Sequence, residues 1–294
     1  MKCTFCSQKA VYPNLCKEHF IEYFERKVFD TIERFNLLNK NDKVMVAASG
    51  GKDSMTVLYL VKKWMGPNAH VEALVVDEGI AGYRNKTIED LERFCKEHGV
   101  VLNKCSFKED FGQTLDDAKE KVSVRPCHLC GTFRRALLNK YSQGFDKIAT
   151  GHNLDDECQA IMMNYLRSTI ELSARLGPLS GVGAVKGFTQ RVKPLFFCSE
   201  KEVLVYTLLK GFSVGYTECP NVTQSYRAQV RDFLNDWEAE EPGVKLRIVE
   251  QFLEQLPSLK ARFGDAVSLG ICSRCSAPST NKVCNACAFK EVIT

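Results

Sequence analysis

Cysteine and histidine spacing supplies the first recognisable chemistry. Cys3, Cys6, Cys16 and His19 read C-x2-C-x9-C-x2-H, and Cys272, Cys275, Cys284 and Cys287 read C-x2-C-x8-C-x2-C. In each, one short turn aims two ligands at an ion and a second pair closes the tetrahedron, leaving no open position, as in structural zinc sites. Neither end carries enough apolar residues for a core of its own, so metal has to hold each knuckle together. Cys127 and Cys130 form a third C-x2-C without a second pair nearby. That spacing admits a redox dithiol, half of a zinc site, or part of an iron–sulfur site completed from elsewhere, with Cys219 before Pro220 as a candidate third ligand. A different chemistry sits at Ser49-Gly50-Gly51-Lys52-Asp53-Ser54. Paired glycines allow a tight turn with outward amides, the following helix start adds positive potential and Lys52 adds a full charge, which together make an anion cradle. The G-x4-G-K-[ST] pattern is absent, which excludes a Walker-type kinase or GTPase loop.

The elements that must position these residues follow from periodicity. Phe20, Ile21, Phe24, Val28, Ile32 and Phe35 recur at helical steps over residues 17–38, linking the first knuckle to the main domain. Apolar strands then alternate with helices: strands at 43–48, 71–76, 100–106 and 147–150, helices at 53–65, 86–98, 131–142 and 154–167. This alternation predicts an α/β fold, a parallel sheet with helices on both faces, flanked by the terminal knuckles. Ligands of such sheets bind at the carboxyl ends of the strands, where Ser49 to Ser54, Asp77 to Ile80 and Gly151 to Asp156 all fall. Gly181, Gly183 and Gly187 are wrongly spaced for a dinucleotide loop and read as flexible connection. Beyond residue 198 the pattern is mostly helical, and residues 264–269 lead into the last knuckle. The expected organisation is an N-terminal zinc finger at 1–26, a catalytic domain at 27–264 and a C-terminal zinc finger at 265–294.

Composition narrows the function classes. The chain has 294 residues with 45% hydrophobic and 26% charged, ordinary for a globular protein. Lys plus Arg total 40 against 36 Asp plus Glu, so the net charge of +4 rules out a uniformly basic nucleic-acid coat and confines any basic surface to patches. No apolar run is long enough for a membrane helix, and Met1-Lys2-Cys3-Thr4 does not open a secretory signal, so a cytoplasmic protein without membrane association is expected. In a reducing compartment the 14 cysteines read as metal ligands and buried thiols rather than disulfides. Cys95, Cys105, Cys158 and Cys198 lie outside the sets and, with apolar neighbours, read as buried thiols.

Ser49 to Ser54 after an apolar strand resembles the SGGxDS signature of the PP-loop ATP pyrophosphatases, which split ATP between the α and β phosphates and adenylate a carbonyl oxygen. Within that superfamily several further segments resemble the TtuA and NcsA group of tRNA 2-thiouridine synthetases. They are both knuckles, Asp77-Glu78-Gly79-Ile80, Pro126-Cys127-His128-Leu129-Cys130-Gly131, Gly151-His152-Asn153-Leu154-Asp155-Asp156-Glu157 and Glu218-Cys219-Pro220. The resemblance spans nearly the whole chain. It implies that Ala47, Ser49, Gly50, Gly51, Lys52, Asp53 and Ser54 hold ATP, with Asp77, Ile80 and Gly151 beside the ribose and adenine. It also implies that Cys127, Cys130 and Cys219 hold a 4Fe-4S cluster with one iron open to sulfide.

The mechanism so implied has two steps. The uridine C2 oxygen attacks the α-phosphate and releases pyrophosphate; sulfide at the open iron then displaces AMP. Mg²⁺ and Lys52 offset phosphate charge, and Asp156 or its neighbour Asp155 acts as metal ligand or proton acceptor. A plain reading of those two carboxylates as helix N-terminal charges competes with this. Where the group commonly has lysine, four residues after the second central cysteine, this chain has Arg134, followed by Arg135. A guanidinium preserves charge stabilisation but not proton transfer, and a solvated helix face is the plain alternative for Arg135.

A tRNA partner predicts a basic footprint, for which Arg167, Arg175, Lys186, Arg191, Lys193, Arg227 and Arg231 are candidates. His152, with no companion ligand, reads as a structural or nucleotide-side residue. The leading expectation is a 2-thiouridine synthetase acting at wobble position 34, since Cys, Asn and Gln are not scarce as in hyperthermophile proteins. Position 54 in the T-loop is the alternative. Two further alternatives are iron-free persulfide and disulfide transfer, and a zinc-ribbon RNA-binding scaffold whose loop only senses nucleotide. A relative acting on cytidine is disfavoured by the knuckles. The sulfur source is free sulfide or a ubiquitin-like carrier with a thiocarboxylate end, and a homodimer is expected by resemblance.

Overall fold

In the computed structural model, which describes residues 2–181, 187–215, 219–221, 226–264 and 270–294, the apolar runs pair side by side. Chain order is α1 (Lys17–Arg34), β1 (Val44–Ala47), α2 (Lys52–Met65), β2 (Val71–Asp77), α3 (Arg84–Glu97) and β3 (Val101–Ser106). Next come α4 (Phe107–Phe111), α5 (Leu115–Ala118), a 3-10 turn at Lys119–Lys121, α6 (Pro126–Tyr141), β4 (Lys147–Thr150), α7 (Leu154–Leu166), α8 (Ile170–Ser173) and β5 (Gln190–Val192). The chain closes with α9 (Glu200–Lys210), α10 (Tyr226–Glu240), α11 (Val244–Phe263), the hairpin β6 (Gly270–Ile271) and β7 (Pro278–Ser279), and α12 (Asn285–Ile293).

The five-stranded sheet has order β3-β2-β1-β4-β5 and every pairing is parallel. Successive residues of β1 point to opposite faces, so Val44 and Val46 enter a core under α1, α2, α3 and α9, while Met45 enters a second core under α6 and α12. Leu74 and Val76 of β2 join Met45, whereas Ala73 and Val75 join the first core. Burial on both faces explains why these strands read as continuous apolar runs. A third cluster, built around Cys158, Ile161, Phe196, Leu234, Val249 and Phe252, joins α7 to α10 and α11. Cys95, Cys105, Cys158 and Cys198 are buried as expected.

From β1 the chain winds outward to β2 and β3, then returns to the other side of β1 as β4. That reversal opens a crevice at the carboxyl ends of β1 and β4, the place where α/β sheets bind ligands. The expected alternation is present with two differences. β5 is an additional edge strand of three residues, of which only Val192 is buried. α6 starts at Pro126, earlier than the expected 131, with proline at the first helical position where its missing N–H costs nothing.

The knuckles pack onto the domain. α1 is continuous across residue 26, and its Phe20 and Phe24 lie in the first core with Tyr206. α12 brings Ala286 and Ile293 into the second core, and its Phe289 ring meets His128 and Phe133 of α6 edge-on. No helix among the described residues is long and apolar enough to cross a membrane.

Candidate functional site

The phosphate loop is built by close approach. Gly50 has φ +83° and a Cβ there would lie 2.2 Å from the carbonyl oxygen of Thr87, so the loop sits directly on the first turn of α3. Gly151, after β4, backs onto the first turn of α2 in the same way, with a Cβ meeting Ser54 N at 2.9 Å. Ser54 Oγ accepts from Ser49 N at 3.0 Å and donates to Gly51 O at 2.9 Å, which fixes the loop from inside. No side chain caps α2 at Gly51, leaving its N-terminal amides for an anion. Ala47 ends β1. Asp77 ends β2, where its Oδ1 accepts from Gly79 N at 2.8 Å, and Ile80 is buried beside it.

Lys52 Nζ lies 2.9 Å from both Asp53 Oδ2 and Glu200 Oε1. Burial opposes its charge, but the Asp53 and Glu200 carboxylates outweigh it and hold the ammonium protonated. Asp53 in turn accepts from Asn153 Nδ2 at 3.0 Å. Its carboxyl is held above the ordinary range by burial, against the pull of Lys52 and with a contribution from Asp156. Asp156 is raised by burial too, against Arg227. Asp53 on α2 and Asp156 on α7 thus feel each other electrostatically.

The adjacent acids of α7 separate. Asp155 is buried, pairs with Lys245 Nζ at 2.5 Å and accepts from Glu200 N at 2.7 Å, tying α7 to α9 and α11. Asp156 keeps a third of its side chain exposed and lies 2.9 Å from Arg227. It also completes the capping box with Asn153, so the plain helix-terminal role exists alongside the cleft-facing one. His152 is exposed, its Nδ1 2.8 Å from Thr150 Oγ1; the mass of protein on its other sides, then Lys193, lowers it to about 4 and favours the neutral ring.

Cys127 and Cys130 occupy the first turns of α6 on one helix face, and the Cys219 segment, after α9 in the chain, comes against that turn. Cys127 Sγ meets Asn221 O at 3.3 Å, and Asn221 Nδ2 lies 3.9 Å from Cys219 Sγ. Cys127 and Cys130 both feel Cys219 electrostatically. Burial pushes Cys130 up to about 12 against the pull of Arg134, whose guanidinium is 3.5 Å from Glu78 Oε1. Glu218, the motif residue before Cys219, lies outside the described residues. The terminal sets are tighter: within each, all four ligand atoms lie within 4.8 Å of one another. Cys16 Sγ and Cys3 Sγ are 3.3 and 3.4 Å from His19 Nδ1, and Cys6 and Cys16 are 3.7 Å apart. In the second, Cys275 and Cys284 are 3.7 Å apart, and Cys272 accepts from Cys284 N at 3.2 Å. Both sets fit one metal ion each.

One expected RNA contact is corrected: Lys193 is buried and pairs with Glu157 at 2.7 Å. Arg227, its side chain 43% exposed, lies 2.9 Å from Asp156 Oδ1 and donates to Gln159 Oε1. Arg167 and Arg175 are exposed, Arg167 over the Tyr226 ring, and Arg231 pairs with Asp232. Lys186 lies outside the described residues. Arg84 was not legible as a site residue: buried on α3, it donates to Ser49 O and Val76 O, both at 2.6 Å, and lies 2.7 Å from Glu78. Nothing in an Arg following Gly-Tyr signals that strut.

A crevice at the β1/β4 reversal, with a glycine loop opening an uncapped helix, defines a PP-loop nucleotide-binding protein, and a family model described as a PP-loop domain matches residues 21–236. Over 98% of the chain and 93% of the relative it is 38% identical to a tRNA-5-methyluridine(54) 2-sulfurtransferase of Pyrococcus horikoshii. It is 30% identical to the tRNA 2-thiolation protein NcsA of Haloferax volcanii, over all of this chain and 99% of that one. Among solved structures, the U34-tRNA thiolase NcsA from Methanococcus maripaludis with its [4Fe-4S] cluster superposes with a TM-score of 0.83 at 34% identity, covering 99% of this chain and 96% of that chain. The chain belongs to the PP-loop tRNA 2-thiolation sulfurtransferases.

Proposed function

We propose that this chain uses ATP to replace the C2 oxygen of a tRNA uridine with sulfur, with Cys127, Cys130 and Cys219 holding a 4Fe-4S cluster. The observation that carries the reading is the approach of the Cys219 segment to α6, where Cys127 Sγ meets Asn221 O at 3.3 Å, in a chain that also presents an uncapped phosphate loop. Bound there, such a cluster would supply an iron without a protein ligand, able to carry sulfide. The loop amides, Ser49, Gly50, Gly51 and Ser54 cradle the triphosphate, and Lys52 turns from Glu200 to offset its charge. Ala47, Asp77, Ile80 and Gly151 bound the nucleoside side. Asp53 and Asp156 would hold Mg²⁺, while Asp155 positions α7 without touching substrate. Arg134, held by Glu78, presents a fixed positive charge between the cysteines and the phosphates, favouring attack of the uridine oxygen at the α-phosphorus. Always charged, it cannot act as a base.

The terminal sets would each hold structural Zn²⁺, flanking a catalytic unit at 27–264. The wider proposal includes a cytoplasmic homodimer supplied with free sulfide or a thiocarboxylate carrier. The target uridine is position 34, in keeping with an Asn, Gln and Cys content that is not depleted. Position 54 is the second reading, favoured by the Pyrococcus relative's activity. Pyrophosphate release, measured with Mg-ATP and unmodified tRNA, tests the enzyme reading. It is expected only when tRNA is present; no release would favour a nucleotide-sensing scaffold, and release independent of tRNA would separate the ATP chemistry from the RNA. Fragment mapping of the thiolated tRNA separates positions 34 and 54.

A further inference from the structure

The cations around the cleft are matched to carboxylates: Arg84 to Glu78 at 2.7 Å, Lys193 to Glu157 at 2.7 Å, Arg227 to Asp156 at 2.9 Å and Lys245 to Asp155 at 2.5 Å. Arg135 and Arg191 depart from that rule. Arg191 Nη2 donates to Asn139 Oδ1 at 2.9 Å and to the backbone oxygen of Arg135 at 3.4 Å, and Arg135 Nη2 donates to Thr132 Oγ1 at 3.5 Å. All of these acceptors are neutral, they use a small part of the donors that two guanidiniums carry, and among the described residues no carboxylate pairs with either.

Arg135 is exposed and Arg191 half-buried, and Arg191 Nη2 reaches the Arg135 carbonyl. Surrounding protein, then the neighbouring Arg135 charge, lowers Arg191 to about 10. Arg191 is not free to swing away, because β5 is registered against β4 and Thr189 Oγ1 donates to Ser142 O at 2.8 Å at the end of α6. A fold that holds like charges together without a counter-charge leaves a place for an anion. Position identifies its kind. Arg135 lies five residues beyond Cys130 on the same helix, and Arg191 of the edge strand β5 meets that helix at Asn139.

We propose that Arg135 and Arg191 form a binding site for a backbone phosphodiester of the RNA, holding the strand that carries the target uridine beside Cys127 and Cys130. This rests on the tRNA-thiolation reading and adds to it where the substrate's backbone lies. The shared chemistry is phosphate, and the other source is the pyrophosphate leaving ATP.

The test is tRNA binding by the full-length protein at several salt concentrations, for wild type, Arg135→Gln, Arg191→Gln and Arg191→Lys. Each Gln variant is expected to bind roughly three- to tenfold more weakly and to flatten the dependence of log Kd on log salt by about one unit. Arg191→Lys is expected to keep the wild-type slope, which also controls for loss of fold, and ATP affinity and iron content are expected to stay unchanged. Unaltered tRNA affinity and slope in both Gln variants overturns the proposal while leaving thiolation standing. Lost pyrophosphate binding with intact tRNA binding overturns it in favour of the leaving group. Wild-type protein that binds no tRNA removes the thiolation reading itself, and this site with it.

Discussion

Asp155 is closed in by Lys245 and the first amide of α9, whereas Asp156, one residue on, opens into the cleft. Asp155→Asn leaves Lys245 buried and unpaired, and a loss of about 3–5 kcal/mol is expected in urea unfolding. Asp156→Asn removes a part-exposed charge, so stability changes by roughly 1 kcal/mol or less, while tRNA-dependent pyrophosphate release falls at least about a hundredfold. His152 carries the pH prediction. Its folded-state value of about 4 lies below the ordinary 6.5, so the neutral ring is favoured and its contribution to stability is lost as pH falls from about 6.5 toward 4. Imidazole resonances of His152 are expected to stay neutral until about pH 4; titration near 6.5 would show that, at this exposed position, neither the surrounding protein nor Lys193 sets the ring's charge. Sequence pattern marked Asp155 and Asp156 only as a pair, because adjacent helix residues point in different directions and their partners, Lys245 and Arg227, come from α11 and α10.

At the scale of elements, β1, α2 and β4 were legible because their apolar periods and the glycine loop describe one strand–turn–helix unit. The early start of α6 was not. Of its first five residues only Leu129 is buried, so no apolar period announces the turn that carries Cys127 and Cys130. β5 was equally hidden, since three residues with a single buried side chain become a strand only through pairing with β4. Gly50 carries a sharper expectation. With φ +83° and the Thr87 oxygen 2.2 Å from any added Cβ, Gly50→Ala has to move the loop or α3. A loss of about 1–3 kcal/mol is expected, with ATP affinity in calorimetry falling at least about tenfold; unchanged ATP binding would separate the loop from the nucleotide.

For the whole molecule, the knuckles, whose ligand sets each fit one metal ion, are also braces. α12 lays Phe289 against His128 and Phe133 of α6, and Lys290 Nζ reaches Asp110 O at 2.7 Å. Loss of the second knuckle therefore loosens the helix that carries two of the three central thiols. Cys284→Ser is expected to lower zinc by about one ion per chain, by elemental analysis, and to reduce retained iron. Iron retained in full would make that knuckle independent of the cysteine site. The knuckle spacings were readable from sequence because each set is local; the approach of Cys219 to α6 depends on the sheet and was available only through resemblance. In the proposed mechanism this remote thiol completes a sulfur-delivering site served by the ATP loop. Mass spectrometry of nucleosides, from unmodified tRNA incubated without oxygen with iron-reconstituted protein, Mg-ATP and sulfide, tests it most directly. The account predicts 2-thiouridine with wild-type protein and none with Cys219→Ala that still binds ATP. Equal 2-thiouridine from the Cys219→Ala protein would contradict it.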